Sequence, residues 1–296
     1  MDKNNGGLKR ELGLTMLIFY GVGTILGLGI YVLIGKISEQ AGMLSPFAVF
    51  VSAIIAGFTG LSYSELSARI PKSAGEVNYV EAGFSNKYLS TLVGWMIVFS
   101  AMISTATVVN GYVGYVQVFV NWPGYIIIIL IVLGLGTVAA WGIRESAILI
   151  AVITLVELSG ILLVIIVGAD KLAIIPENLD QLIPSGDIDQ WRGIAAASFL
   201  AFFAFIGFED MVNISEEARN PVRDMPRAII ISFLILSVLY ILVALIANLS
   251  MSQNELGASS APLADIVAAK NPGYAKLASS ISLVAIVNGV LVQIIM

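Results

Sequence analysis

Long apolar segments constrain the fold of this chain more than any other feature of its sequence. A helix needs about 20 mostly apolar residues to cross the hydrocarbon core of a bilayer. Eight segments meet that requirement, at roughly 13–35, 44–69, 88–118, 123–142, 147–168, 192–214, 226–250 and 274–296. Because lipid cannot satisfy the hydrogen bonds of an open backbone, each segment is predicted to form a transmembrane helix. The predicted fold class is an all-α membrane protein.

Composition agrees with this class and excludes several kinds of chemistry. Only 12% of the 296 residues are charged and 58% are hydrophobic, whereas soluble domains carry about 25% charged residues. The chain contains no cysteine and no histidine, which removes disulfides, thiolate nucleophiles and the commonest metal ligand and general base. It also lacks a basic cluster that would bind nucleic acid. We therefore predict no enzyme activity, no cofactor and no metal site.

The distribution of positive charge predicts the orientation of the spans. With the N-terminus inside, ten of the fifteen Lys and Arg residues fall on the inner side, as expected for cytoplasmic segments. This predicts a multi-pass protein of the cell membrane with a cytoplasmic N-terminus. The last span runs to Met296 without a polar tail, which suggests a piece of a longer protein; a natural end at the membrane boundary is the alternative.

The first span contains an unusual concentration of glycine. In "GVGTILGLGIY", Gly21, Gly23, Gly27 and Gly29 fall within nine residues, and each costs a helix interior about 1 kcal/mol relative to alanine. Gly23 and Gly27 have the GxxxG spacing of closely packed membrane helices. The four glycines do not share one helix face, however, so an unwound segment is the alternative. Unwinding would expose backbone N–H groups and a helix N-terminus that can bind a carboxylate.

A second candidate break lies in the sixth span. The stretch "SFLAFFAFIGFEDMVNISEE" contains Gly207 and the acidic pair Glu209 and Asp210 in otherwise apolar surroundings. Transporters with internal repeats place paired broken helices around their substrate. Because the two spans are five apart, a repeat that begins at span six would be inverted relative to the first.

These motifs resemble the amino acid–polyamine–organocation (APC) superfamily of transporters. "GVGTILGLGIY" is similar to its first helix, and "FFAFIGFED" followed by "EEARNPVRDMPRAI" is similar to its sixth helix and the loop to the seventh. The resemblance implies one transmembrane domain over 1–296 with the LeuT-like inverted five-helix repeat. The first repeat would cover about 13–168 and a partial second repeat about 192–296, truncated in helix eight.

The resemblance also implies a function and a site. The function is secondary active transport of amino acids or related amines by alternating access, with helices one and six forming the substrate site. Backbone at the first break would bind the substrate carboxylate, and carbonyls of the sixth helix would accept from its ammonium group. The residues so implied are Thr24, Ile25, Gly27, Gly29, Phe203, Ala204 and Ile206. Phe203 would also act as a gate, while Leu28 replaces a serine that many members have.

Helix five carries the residue that indicates coupling of transport to protons. Many proton-coupled members have a buried lysine where this chain has Glu157, in "ITLVELSG". An ionisable residue inside a span is expensive to keep charged, so Glu157 is predicted to carry a proton during uptake. It could instead bind a cation or simply accept a hydrogen bond. Sodium symport is an alternative, since Ser279, Ser280 and Ser282 offer hydroxyls in span eight, and amino acid exchange is another.

Other polar residues are predicted to form a surface ion pair or to line the substrate path. Glu65 and Arg69 have the spacing of an i,i+4 ion pair. Glu209 is predicted to lie on the inner substrate path or gate, since adjacent carboxylates on a helix diverge. No deep acidic cluster is visible in the sequence, which favours neutral amino acids as substrates. A non-transporting membrane sensor or scaffold is the alternative from another functional class.

Overall fold

The chain folds into a bundle of helices, several of them interrupted. A computed structural model describes residue 10 and residues 12–26, 29–72, 75–140 and 147–295. Within these ranges the helices are α1 (Leu14–Leu26), α2 (Ile30–Ala41), α3 (Ser45–Arg69), α4 (Gly75–Phe84), α5 (Lys87–Gln117), α6 (Gly124–Ala140), α7 (Ala147–Val167), α8 (Leu179–Leu182), α9 (Ile188–Phe205), α10 (Phe208–Val212), α11 (Pro221–Ser250), α12 (Gln253–Ala258), α13 (Pro262–Lys270) and α14 (Ala275–Ile295).

The predicted membrane spans are confirmed as apolar helices. Among the described residues, six helical stretches are long and apolar enough to cross a membrane: Ile30–Arg69, Lys87–Gln117, Ile153–Ile174, Ile188–Val212, Pro221–Ser250 and Pro272–Leu291. Shorter apolar helices, Leu14–Leu26 and Gly124–Thr137, lie in the first and fourth predicted spans. The first span consists of α1 and α2, and the sixth consists of α9 and α10. Both predicted breaks are therefore present.

One predicted boundary is wrong. Helix α11 begins at Pro221 and continues through Pro226, which was predicted to start the span. Proline suits the first helical position because its missing N–H has no partner there anyway. The segment before the last span contains two short helices, α12 and α13. Ser252 forms a capping box at the start of α12, and Pro262 starts α13.

Segments predicted to lie on the same side of the membrane contact one another. Near the N-terminus, the Leu12 N–H donates to the Glu217 carbonyl at 3.0 Å, and Arg219 donates back to Leu12 at 2.9 Å. On the opposite side, the Lys270 ammonium contacts Asp170 at 2.6 Å. The alternation of sides that the span count predicts is therefore consistent with these contacts.

The helices differ in how much of their apolar surface other helices cover. In the most hydrophobic window of Lys87–Gln117, 17% of the residues are buried, against 56% in Ile188–Val212. The outer face of α5 exposes Trp95, Phe99 and Ile103, an apolar surface that requires lipid around it. Other helices cover more of the surface of α9 and α10. The sixth-span break is thus held partly by protein.

Polar side chains fasten the helices around this interior. The Asn248 amide of α11 donates to the Gly42 carbonyl at 2.8 Å and to the Ser45 hydroxyl at 2.6 Å, at the turn between α2 and α3. Ser198 of α9 donates to the Ala48 carbonyl of α3 at 2.9 Å. These bonds join three spans of the bundle.

We expect Asn248→Ala to lower the stability of the protein measurably. The substitution removes two interhelical hydrogen bonds, each worth about 0.6 kcal/mol on average in a membrane protein. The measurement is the midpoint of thermal unfolding in detergent. Asn110→Ala is the matched control, because the exposed Asn110 amide bonds only within its own helix, to Ala106. Equal midpoints for the two variants would contradict the assignment.

Candidate functional site

The two breaks contact each other through their backbones. A Cβ atom built on Gly29 would lie 2.2 Å from the Cα of Ala204 in α9. A Cβ on Gly207 would lie 2.6 Å from the carbonyl oxygen of Thr24 and 2.9 Å from the Cα of Ile25. Gly29, at the first break, therefore lies against the end of α9. Gly207, at the sixth-span break, lies against the end of α1. This reciprocal contact brings together residues that are about 180 positions apart in the chain.

Glycine is required at both positions, for partly different reasons. At Gly29 any side chain would overlap the backbone of α9. At Gly207 the backbone has φ of +128°, a conformation that residues with a side chain rarely adopt. Gly207 also lies between α9 and α10, so its conformation turns the chain from one half-helix into the next. The break in the sixth span depends on this residue.

Gly21 and Gly23, the other described glycines of "GVGTILGLGIY", serve packing. Gly21 faces Met211 of α10 and Ser232 of α11, whereas Gly23 faces Thr154 of α7. Together with Gly29 they allow close approach on different sides of the span. The prediction that no single packing stripe explains the glycines is confirmed for these three. Gly27 and Leu28 lie outside the described residues.

The predicted substrate residues that the structure describes lie at or next to the contact between the two breaks. We call this contact the crossing: Gly29 lies against Ala204, and Gly207 lies against Thr24 and Ile25. The Thr24 hydroxyl is buried and donates to the Gly21 carbonyl at 3.2 Å. Ile25 is fully buried, and its carbonyl accepts from the Tyr240 hydroxyl at 3.1 Å. These groups have protein partners in this conformation, so a ligand would contact them only after rearrangement or through their remaining lone pairs.

The predicted residues of the sixth span lie at the end of α9. Ala204 is buried, while Phe203 and Ile206 are half-buried. The Ile206 N–H donates to the Phe203 carbonyl at 3.3 Å in the last turn. Because α2 begins where α9 ends, the positive end of one helix dipole lies beside the negative end of another. That arrangement suits a molecule with one anionic and one cationic group.

Glu157 lies in a separate buried cluster. Its side chain is 0% exposed, and Oε1 accepts from the Asn288 amide of α14 at 2.9 Å. Oε2 of Glu157 and Oδ1 of Asn288 have no hydrogen-bond partner among the described residues. The Tyr31 hydroxyl donates to the Glu157 backbone carbonyl at 2.6 Å, which connects the cluster to the start of α2.

Sequence reasoning missed the partners of Glu157. Asn288 is the one amide in the apolar sequence "LVAIVNGVLV", and that isolation was the available signal. The serines of the same helix mostly bond within it: Ser280 donates to the Lys276 carbonyl and Ser282 to the Ala278 carbonyl. The Ser279 hydroxyl is buried without a partner in the described part of the chain.

A cavity of about 260 Å³, walled by apolar and acidic side chains, lies beside the sixth-span break. Its lining includes Tyr63, Glu76, Ser104, Ile206, Glu209 and Asp210. The Tyr63 hydroxyl donates to Glu76 at 3.2 Å, and the Gly207 N–H donates to Glu209 at 2.8 Å. Burial raises the pKa of the Glu76 carboxyl above its usual value. Sequence reasoning missed this acidic cavity, because its members come from separate helices.

The exposed ion pair predicted at the end of α3 is confirmed. The Arg69 guanidinium contacts the Glu65 carboxylate at 2.5 Å, with both side chains mostly exposed. Such pairs contribute little to stability. This pair stands apart from the crossing of the breaks and offers a control for charge substitutions.

The sequence also matches a known protein family. The model of the amino acid permease family matches residues 12–296. This chain belongs to that family. The resemblance to the APC superfamily is thereby confirmed, and the chain is a multi-pass membrane protein of this family.

Three curated relatives show the range of this permease family. The chain is 30% identical over 264 residues to a branched-chain amino acid permease of Bacillus subtilis, covering 81% of this chain and 54% of that protein. It is 29% identical to cationic amino acid transporter 4, vacuolar, of Arabidopsis thaliana, covering 82% and 44%. A methylthioribose transporter of Bacillus subtilis is 30% identical, covering 84% and 57%. The chain spans about half the length of these relatives.

Solved structures show the same fold at low sequence identity. A manganese transporter variant from Eremococcus coleocola superposes with a TM-score of 0.56 at 14% identity, covering 95% of this chain and 65% of that one. The LeuT-like fold that the resemblance to the APC superfamily implies is confirmed. At this identity the likeness concerns the fold alone.

We expect Gly29→Ala and Gly207→Ala each to destabilise the permease, by about 1–3 kcal/mol for the overpacking. Both would force the crossing apart, and Gly207→Ala adds backbone strain. Thermal unfolding in detergent measures the effect. Gly136→Ala in α6 is the control, because a Cβ there meets nothing within 4 Å. If Gly29→Ala and Gly136→Ala unfolded at the same temperature, the close backbone contact would not exist in the protein.

Proposed function

We propose that this permease is a secondary active transporter of amino acids that works by alternating access around the crossing of its broken helices. Family membership supports transport. The observation that carries the proposal is the contact between Gly29 and Ala204, because it places the ends of two half-helices at one point inside the bundle. No covalent chemistry is needed, and we propose no enzyme activity.

Recognition of the substrate follows from the polarity of the half-helices. The N-terminus of α2, at Gly29, binds the α-carboxylate through the free N–H groups of its first turn and the helix dipole, with Thr24 and Ile25 beside it. The C-terminal carbonyls of α9, at Phe203, Ala204 and Ile206, accept from the α-ammonium group. All amino acids share these two groups. The backbone site therefore selects the class of substrate and leaves its identity to surrounding side chains.

The gates of this transporter would lie on either side of the crossing. Phe203 is half-buried at the end of α9 and can cover a bound ligand. Glu209 accepts the N–H of Gly207 and so stabilises the turn that a moving half-helix must preserve. The bonds from Leu12 to the loop after α10 lie on the side that positive charge predicts to be cytoplasmic. In the cell membrane, an opening toward the cytoplasm would therefore move these segments.

We expect the purified protein in liposomes to take up radiolabelled amino acids in a saturable way that unlabelled amino acids inhibit. Phe203→Ala should reduce uptake at least tenfold, since it removes the proposed gate. Phe199→Ala, one turn earlier on the exposed face of α9 at 83% exposure, should leave uptake unchanged. Binding of amino acids without any uptake would favour a membrane sensor or scaffold instead.

Coupling to protons is the second part of the proposal. Glu157 is fully buried, contacts Asn288 and lies next to Tyr31 at the start of α2. A proton that binds or leaves this carboxyl changes the charge beside the substrate half-helix. In a low-dielectric interior such a change is large enough to bias which conformation is favoured. Proton movement and substrate binding would be linked in this way.

We expect Glu157→Gln to abolish the acceleration of uptake by an inward proton gradient. The amide keeps a hydrogen-bonding side chain but cannot exchange a proton. Uptake is measured under imposed proton and sodium gradients, with Glu65→Gln at the exposed pair of α3 as the control. Unchanged proton dependence in Glu157→Gln would overturn the coupling role. Dependence on sodium alone would favour sodium symport, and dependence on neither gradient would favour exchange.

A further inference from the structure

The cavity beside the sixth-span break carries three carboxyl groups in a mostly apolar wall and no basic side chain among its described lining residues. Glu76 comes from α4, the helix between the second and third spans, whereas Glu209 and Asp210 come from α10. Like charges in a confined space repel one another, and a bound cation relieves that repulsion. The cavity therefore favours a positively charged occupant.

The hydrogen bonds inside the cavity leave acceptors available. Tyr63 occupies one oxygen of Glu76, and the Gly207 N–H occupies one oxygen of Glu209. The Ser104 side chain also lines the cavity; it is 4% exposed, and its hydroxyl has no hydrogen-bond partner among the described residues. A buried hydroxyl without a partner is costly. A ligand with N–H donors would satisfy it.

The geometry favours an organic cation over a metal ion. In the described part of the chain, no three acidic groups converge closely enough to hold a metal. An ammonium or guanidinium group donates several hydrogen bonds over a wider area, and a guanidinium matches carboxylates with two parallel bonds. The rings of Tyr63 and Phe208, 5.4 Å apart, add an aromatic wall that suits such a cation and its aliphatic stem.

The position of the cavity connects it to the proposed substrate site. Ile206 lines the cavity and is also one of the residues whose carbonyl is proposed to accept from the substrate ammonium group. Phe202 of the same turn lines the cavity as well. A substrate held by its α-carboxylate and α-ammonium groups at the crossing would thus extend its side chain toward Glu76 and Asp210.

We propose that this cavity binds the side-chain cation of a basic amino acid, so that the substrate class is cationic amino acids. This inference rests on the proposed function. It replaces the expectation of a neutral substrate, which was based on the absence of a deep acidic cluster in the sequence. The cluster exists, but folding assembles it from α4 and α10.

The test compares arginine with citrulline, which has nearly the same shape and no side-chain charge. Affinities of the purified protein in detergent are measured from the thermal stabilisation that each amino acid produces over a concentration series. We expect the wild-type protein to bind arginine at least tenfold more tightly than citrulline. Lysine and norleucine provide a second pair of the same design.

Variants then assign the preference to the cavity. We expect Glu76→Gln and Asp210→Asn each to reduce the ratio of arginine to citrulline affinity to below threefold. Glu65→Gln removes a carboxylate that pairs with Arg69 outside the cavity and should keep the wild-type ratio. Glu76 lies in a short half-buried helix between spans, so Glu76→Gln tests the cavity even if Asp210→Asn fails to fold.

The outcomes separate this inference from the proposed function. A wild-type ratio below threefold overturns the cationic assignment, even if neutral amino acids bind well. A ratio above tenfold that survives both cavity substitutions also overturns it, because the preference then arises elsewhere. Absence of binding by any amino acid, together with absence of uptake, overturns the proposed function itself.

Discussion

The reciprocal backbone contact between the two broken helices is the constraint on which the rest of the structure depends. Gly29 lies against Ala204, and Gly207 lies against Thr24 and Ile25. Because no side chain separates them, the half-helix ends come close enough for their dipoles to act on one small molecule. The surrounding helices must then hold four half-helices in place without continuous backbone hydrogen bonding through either break.

Long-range hydroxyl-to-carbonyl bonds supply much of that support. Tyr240 donates to Ile25 before the first break, Tyr115 donates to Tyr31 after it, and Tyr31 donates to Glu157. The Ile25 carbonyl lies in the last turn of α1, where a carbonyl has no helical partner, and in lipid no water replaces that partner. Tyrosine can reach such a carbonyl from a neighbouring helix while its ring fills the apolar space between them. These bonds hold the broken span in place and connect it to the helix that carries Glu157.

Sequence reasoning predicted the spans and both breaks because each depends on local composition. Apolar length identifies a membrane helix, and Gly207 beside Glu209 and Asp210 marks an interruption within one. The partner of Glu157 and the acidic cavity could not be found in this way. Asn288 lies 131 residues from Glu157, and Glu76 lies on a loop helix whose docking position depends on tertiary packing. Helix α11 begins at Pro221, earlier than the apolar segment 226–250 predicts, because its first turn carries the charged residues Arg223 and Asp224.

The proposed function divides recognition between the backbone and side chains. In that proposal the crossing binds the amino and carboxyl groups through the backbone, so it depends on close approach and tolerates changes in most side chains. The cavity beyond Ile206 is built from side chains, and a change at Glu76 or Asp210 alters its charge without altering the close contact of Gly29 with Ala204. Under this division, substrate class could diverge within a family while the broken helices remain the same. The proposal therefore assigns the choice of substrate to the cavity and the class-wide binding of amino acids to the glycine-rich break.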